Sequence, residues 1–140
     1  MEVKQQSKLT LTTVDIVNLS FVAQKPNDGL GEINLQIVPK VFFPPDHPDS
    51  FGIHFDVALD YPDFFNLSLT AVGGFILESG LSEIEKKSFI NMNAPAIMFP
   101  YVRSFIATLT ANMGKSTSAL TIPPHFFGGD LEVISPNEVL

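Results

Sequence analysis

Through its first half the chain alternates apolar and polar residues with a period of two, as strands with one buried face do. Odd positions are apolar at Leu9 and Leu11 and again at Val17, Leu19 and Phe21, but Val14 and Ile16 slip the phase around Asp15. A slip inside a strand predicts a bulge or a change of face. Lys25-Pro26-Asn27-Asp28-Gly29 has the composition of a turn. A second strand sets Ile33, Leu35 and Ile37 against Glu32, Asn34 and Gln36. Pro39 cannot donate to a ladder, so it ends that strand's central pairing or puts it at a sheet edge. Residues 41–50 (VFFPPDHPDS) hold three prolines and read as a loop. The third strand has Phe51, Ile53, Phe55, Val57, Leu59 and Tyr61 on one face; the fourth has Phe65, Leu67, Leu69, Ala71, Gly73, Phe75 and Leu77. Short turns between successive strands imply antiparallel hairpins.

The period changes after Gly80. Residues 81–87 carry helix formers, and Met98, Val102, Ile106, Leu109 and Met113 then recur at helical spacing, flanked by Ile97, Tyr101 and Phe105. Pro95 or Pro100 belongs in the first turn of this helix, Gly114 suits its C′ position, and Lys115 suits its negative end. Residues 121–127 read as extended, and 128–130 as a turn. The expected class is α+β, with four antiparallel strands packed with one long helix, in a single domain spanning residues 1–140.

Composition narrows the function. The charge is −7, from 15 acids and 8 bases, which disfavours binding to phosphate backbones. Absence of cysteine excludes disulfides and thiolate metal or redox sites. Charged residues make up 16% of the chain, against about 25% in ordinary soluble domains. The apolar excess calls for an oligomer interface or a hydrophobic binding surface. A membrane span is not the outlet, because the longest apolar stretch, residues 88–113, contains Asn91, Asn93, Pro95, Pro100 and Arg103. The N-terminus lacks the apolar core of a signal peptide, so a cytoplasmic location is expected.

Candidate catalytic groups are few. His54 and Asp56 share a strand face but make only two ligands of a metal site. Asp46-His47-Pro48-Asp49 has no nucleophile nearby in sequence. Gly114-Lys115-Ser116 resembles the end of a phosphate-binding loop, but Leu109 stands where the pattern needs glycine. No enzyme activity, cofactor or metal is expected. The eight acids and no base between Val41 and Glu85 suit either a docking face for a basic partner or a solvated sheet face. Phe42-Phe43, Phe64-Phe65 and Phe126-Phe127 are paired aromatics beside turns. One member of each pair would point out of a strand's buried face, giving an apolar patch for a partner or a subunit interface.

Four stretches resemble the SecB family of export chaperones. Asn18-Leu19-Ser20-Phe21 is similar to the family's DISF strand, and Val72-Gly73-Gly74-Phe75 to its GGIF strand. Residues 94–103 (APAIMFPYVR) resemble the PNILFPYARE helix start, and residues 120–127 (LTIPPHFF) the LNLAPVNF segment. The likeness runs over roughly residues 15–127 in order and spacing. It implies a four-stranded antiparallel sheet backed by a long helix, a homotetramer built as a dimer of dimers, and a holdase that takes non-native polypeptides into hydrophobic grooves without ATP. By position Phe42, Phe43, Phe126 and Phe127 would line the groove, as candidate client-binding residues. The family also docks acids of its sheet face on the SecA motor. Here Asp60 and Asp63 are the acids available for that contact, while Asn18 and Val22 stand at two docking positions that are acidic in the family. Residues 128–133 do not favour the family's second helix, which is expected short or absent. A SecB-fold oligomer dedicated to one partner, such as an antitoxin, and a structural or ligand-binding protein are the alternatives.

Overall fold

The computed structural model describes residues 8–25, 32–115 and 117–138. The N-terminal segment, most of the turn read at residues 25–29, and Ser116 lie outside them. The described chain forms β1 (Leu9–Ala23), β2 (Asn34–Phe42), β3 (Ser50–Tyr61), β4 (Phe65–Leu77), α1 (Glu83–Ser88), a π-helical turn (Phe89–Asn93), α2 (Ala94–Ala111), β5 (Glu132–Val133) and a 3-10 turn (Pro136–Glu138). One sheet runs in the order β1-β4-β3-β2-β5. The first four strands pair antiparallel and β5 joins β2 parallel.

The phase slip in β1 is two bulges. Its register to β4 shifts between Leu11 and Thr13 and again between Ile16 and Asn18. Each inserts one residue, Thr12 and then Val17. The apolar set Leu9, Leu11, Val14, Ile16, Leu19 and Phe21 therefore stays opposite Leu77, Phe75, Gly73, Ala71, Leu69 and Leu67. The odd residues of β3 and β4 are buried along this same face.

Pro39 does not end β2, which runs on through Val41 and Phe42; the proline-rich loop begins only at Phe43. The Ile134 N–H donates to the Val41 carbonyl at 2.8 Å, so Val41 turns its backbone groups away from β3. Two residues back, Pro39 points the same way, and its missing N–H is lost at the edge of the sheet rather than from the β3 ladder.

Helix α1 begins with a capping box: the Glu85 N–H donates to Ser82 Oγ at 3.2 Å and the Ser82 N–H to Glu85 Oε1 at 3.4 Å. Pro95 sits in the first turn of α2, directly after the widened π turn. A widened turn moves aside the carbonyl that a proline ring would strike in a regular helix. Pro100 lies inside α2 but on its exposed face. The carbonyl that its missing N–H leaves without a helical partner belongs to Ala96, which is also exposed. Met98, Val102 and Ile106 are fully buried, and α2 lies over β1 and β4. The helix is capped at Asn112, and Gly114, with φ of 89°, lies one position beyond the C′ place read for it.

The connection after α2 is tied back onto the helix. Thr110 Oγ1 donates to the Ile106 carbonyl at 2.7 Å and accepts the Leu120 N–H at 2.9 Å, while Thr117 Oγ1 donates to the Thr110 carbonyl at 2.7 Å. Arg103 Nε donates to the Ile122 carbonyl at 2.7 Å. Phe127 then packs edge-on against Phe55 of β3 and Phe99 of α2, with ring centroids 5.5 Å away in both cases. The α+β arrangement of four antiparallel strands packed with one long helix is present, and a fifth, two-residue parallel strand makes the sheet mixed. Two residues of β5 are too few to show a period, which is why the strand is silent in the sequence. No second long helix follows Phe127 among the described residues.

Candidate functional site

Two adjoining surface clefts flank the Asp130–Leu131 segment where it runs beside β2. One, of about 270 Å³, is floored by Val41, Phe43, Ile90, Leu131 and Val133, with Lys87, Asn91 and Asp130 also lining it. The other, of about 230 Å³, is lined by Pro39, His125, Phe126, Phe127, Gly128, Gly129, Asp130 and Leu131. Both are open and smaller than a typical small-molecule pocket, and they suit single apolar side chains of a chain laid along the surface. Between sheet and helix the space is filled by Met98, Val102 and Ile106.

The paired phenylalanines divide. Phe43 is 44% exposed at the first cleft and Phe126 is 100% exposed at the second. Phe127 closes the inner wall of the second cleft and is buried against the core. Phe42 lies on the opposite face of the sheet. Its ring covers Gly52, so closely that a Cβ at Gly52 would collide with it. Of the four candidate client-binding residues, the structure brings Phe43, Phe126 and Phe127 to the clefts and sets Phe42 apart. The Phe64–Phe65 pair, of which one member was expected to point outward, is buried at both rings. Asp63 adopts a left-handed φ of 73° in the β3–β4 turn, which folds the Phe64 ring onto Tyr61, with centroids 4.5 Å apart and Lys25 Nζ 4.9 Å above. Alternation in and out of the core does not hold through such a turn.

The far face of the sheet is polar. Asp60 is exposed on β3 and Asp63 is exposed in the turn that follows. Asn18 pairs with Thr70, and Val22 pairs with Asn66. Of the other acids of that base-free block, Asp56 shares the β3 face with Asp60, Asp46 and Asp49 lie in the β2–β3 loop, Glu78 follows β4, and Glu83 and Glu85 open α1, so the block as a whole does not form one face. Asp56 is the focus of a small cluster: Thr70 Oγ1 donates to Oδ1 at 2.9 Å, Lys40 Nζ stands 3.7 Å from Oδ2, and His54 Nδ1 stands 3.7 Å from the same oxygen. The His54 side chain is buried and its Nδ1 makes no hydrogen bond. No third acid or histidine joins this pair into a metal-binding group among the described residues.

Ile90, Leu131 and Val133 were not foreseen as site residues. Ile90 falls in the π turn, where helical spacing breaks, and Leu131 and Val133 flank Glu132 in a stretch too short to show alternation. No helix among the described residues is long and apolar enough to cross a membrane.

No protein-family model matches the chain, and no curated protein matches its sequence. Solved structures do. The SecB-like chaperone Rv1957 of Mycobacterium tuberculosis, in complex with a ChAD peptide from the HigA1 antitoxin Rv1956, superimposes with a TM-score of 0.68 at 14% identity, over 84% of this chain and 88% of that one. A protein of unknown function from Streptococcus agalactiae matches with a TM-score of 0.51 at 11% identity, over 82% of this chain and 96% of that one. Identities this low speak for architecture alone: an α+β chain with a SecB-like fold.

Proposed function

We propose that this protein is an ATP-independent holdase that binds non-native polypeptides along the apolar clefts beside β2. The observation that carries the reading is a fully exposed Phe126 beside a half-exposed Phe43, at two open apolar clefts on a SecB-like fold. Aromatic surface of this kind costs solubility unless something covers it, and an unfolded chain offers apolar side chains in any order. The structural neighbour from Mycobacterium was solved with a peptide bound, which supports a polypeptide as ligand.

Self-association belongs to the same proposal. β1 is 15 residues long and carries a sheet neighbour on one side only among the described residues. Val17, Leu19 and Val22 on β1 and Ile97 and Tyr101 on α2 add exposed apolar area. Long bare edges of this kind are normally covered by another chain. A dimer of dimers in the cytoplasm is the assembly and location the SecB resemblance suggests. Contact with a secretion motor is the weaker part of that resemblance, because Asn18 and Val22 carry no charge.

The test is suppression of aggregation of several chemically unfolded proteins at stoichiometric amounts without nucleotide. Phe43→Ala with Phe126→Ala should weaken client binding at least tenfold while leaving the unfolding transition within about 1 kcal/mol of wild type, since both rings are substantially exposed. Unchanged binding in the double variant sinks the assignment of these residues. Binding of one partner and of no unrelated client would favour a dedicated chaperone, the antitoxin-type alternative.

A further inference from the structure

Residues 131–134 hold a place on the sheet that an outside strand could take. β5 pairs with β2 through Lys40–Glu132 and Val41–Val133 only. The Ile134 N–H donates to the Val41 carbonyl at 2.8 Å, and the Leu131 N–H donates to Asn91 Oδ1 at 3.1 Å. Val133 is 64% exposed and Glu132 is exposed, so the segment is anchored chiefly through Ile134 and the half-buried Leu131. A two-residue parallel ladder is the weakest form of sheet pairing. Beyond it, from Asn34 to Pro39, the outer edge of β2 has no strand neighbour among the described residues. The first residue of the 131–134 segment, Leu131, forms with Asp130 the divider between the two clefts, and Val133 lines one of them.

We infer that the β2 edge is a strand-addition seat for an extended polypeptide, and that residues 131–134 are its resident occupant. The inference builds on the holdase reading and names how the client is held. An incoming segment runs parallel to β2, takes the Val41 carbonyl with its own N–H, and places apolar side chains where Leu131 and Val133 now lie. Main-chain bonds of this kind give affinity without sequence preference, and the clefts select for apolar residues. Displacing the divider joins the two clefts and extends the seat along the free edge toward Asn34. Pro39 limits the added ladder, since it offers a carbonyl outward but no N–H. The resident segment competes with every client, so it sets a ceiling on affinity.

The experiment weakens the resident and offers the seat a probe. Ile134→Pro deletes the donor to Val41 and leaves the preceding residue in the extended conformation it already has. Ile134→Ala keeps the donor, removes the buried side chain, and serves if the proline variant does not fold. The probe is a fluorescein-labelled peptide copying residues 129–138 (GDLEVISPNE), followed by anisotropy on the full-length protein. At least tenfold tighter binding to either variant than to wild type is expected, with unlabelled unfolded client competing the probe away. Equal affinity of wild type and both variants overturns the inference. If unfolded clients bind wild type and variants alike and the probe binds none, the seat is wrong and the holdase reading survives. If the probe binds the variants while no client binds any form, the seat is right and the holdase reading falls.

Discussion

Gly73 and Met98 meet across the sheet–helix interface, and replacing the glycine is the sharpest test of how this core is built. A Cβ added at Gly73 would lie 2.6 Å from Met98 Sδ, 3.3 Å from Cε and 3.4 Å from Cγ. Comfortable contact needs about 3.5–4.0 Å, so the sulfur must retreat by roughly 1 Å. Met98 is fully buried, and the sheet and its own helix close around it. Overpacking a filled core costs about 1–3 kcal/mol. Two effects oppose this. Alanine lowers the entropy of the unfolded chain, worth about 0.4–1 kcal/mol where the backbone conformation is compatible, and Gly73 does not have a positive φ. Methionine also bends more readily than other core residues. The net expectation for Gly73→Ala is a loss of about 1–2 kcal/mol.

Sign alone is weak evidence, so the test is a double-mutant cycle. Met98→Ala by itself should cost about 2–5 kcal/mol through the cavity it leaves. In the double variant the new methyl has no sulfur to strike and fills part of that cavity, so the two changes together should cost at least about 1 kcal/mol less than their sum. Urea unfolding at fixed protein concentration reads each corner from the midpoint, provided the slope does not change. Additivity within about 0.3–0.5 kcal/mol would mean that Gly73 and Met98 do not oppose one another, and the packing argument would fail.

Two further outcomes follow from single polar groups. Thr110→Val keeps the shape of a fully buried side chain but strands the Leu120 N–H, which donates to its hydroxyl; a loss of about 1–3 kcal/mol with faster amide exchange at Leu120 is expected, and an unaffected Leu120 amide would refute the tie. Glu85 is held below the ordinary glutamate pKa first by the Ser82 backbone N–H and then by the Ser82 hydroxyl, with Lys8 helping from 3.6 Å. Its contribution is complete above the ordinary carboxyl value and fades as pH falls through the lowered one. The stability difference between wild type and Glu85→Gln should therefore narrow on acidification, and a difference that stays constant from pH 7 to pH 3 contradicts the capping box.

The sequence shows the fold wherever one side chain in two or four repeats. β3 and β4 alternate without interruption because they are the central strands, and their odd residues all meet the helix side. β1 hides its face behind two bulges, but the misplaced Val14 and Ile16 announce the first of them. β5 leaves no trace, because two residues cannot display a period. The clefts were only half legible. Doubled phenylalanines flag exposed aromatics, yet the sequence cannot tell which member turns out, and after a left-handed Asp63 neither Phe64 nor Phe65 does. Nor can it show that the Asp130–Leu131 segment comes to lie between Phe43 and Phe126, since the fold brings these together from distant positions.

Three of the four stretches that resemble SecB in the sequence turn out to touch one another, and this is a physical reason for their being legible at all. Gly73 from the strand stretch makes room for Met98 from the helix stretch. Arg103, at the end of that helix stretch, holds the Ile122 carbonyl of the segment that follows the helix. Phe99 of the helix and Phe127 at the close of that segment pack against each other and against Phe55. Each contact needs a particular residue type: no side chain at 73, a charged donor at 103, and flat rings at 99 and 127. Elsewhere many apolar residues would serve, because a core demands volume and tolerates exchange. The same chain of contacts fixes Phe127 in the wall of the second cleft and leaves its neighbour Phe126 facing solvent. The features that make the fold recognisable are therefore also those that border the proposed binding surface.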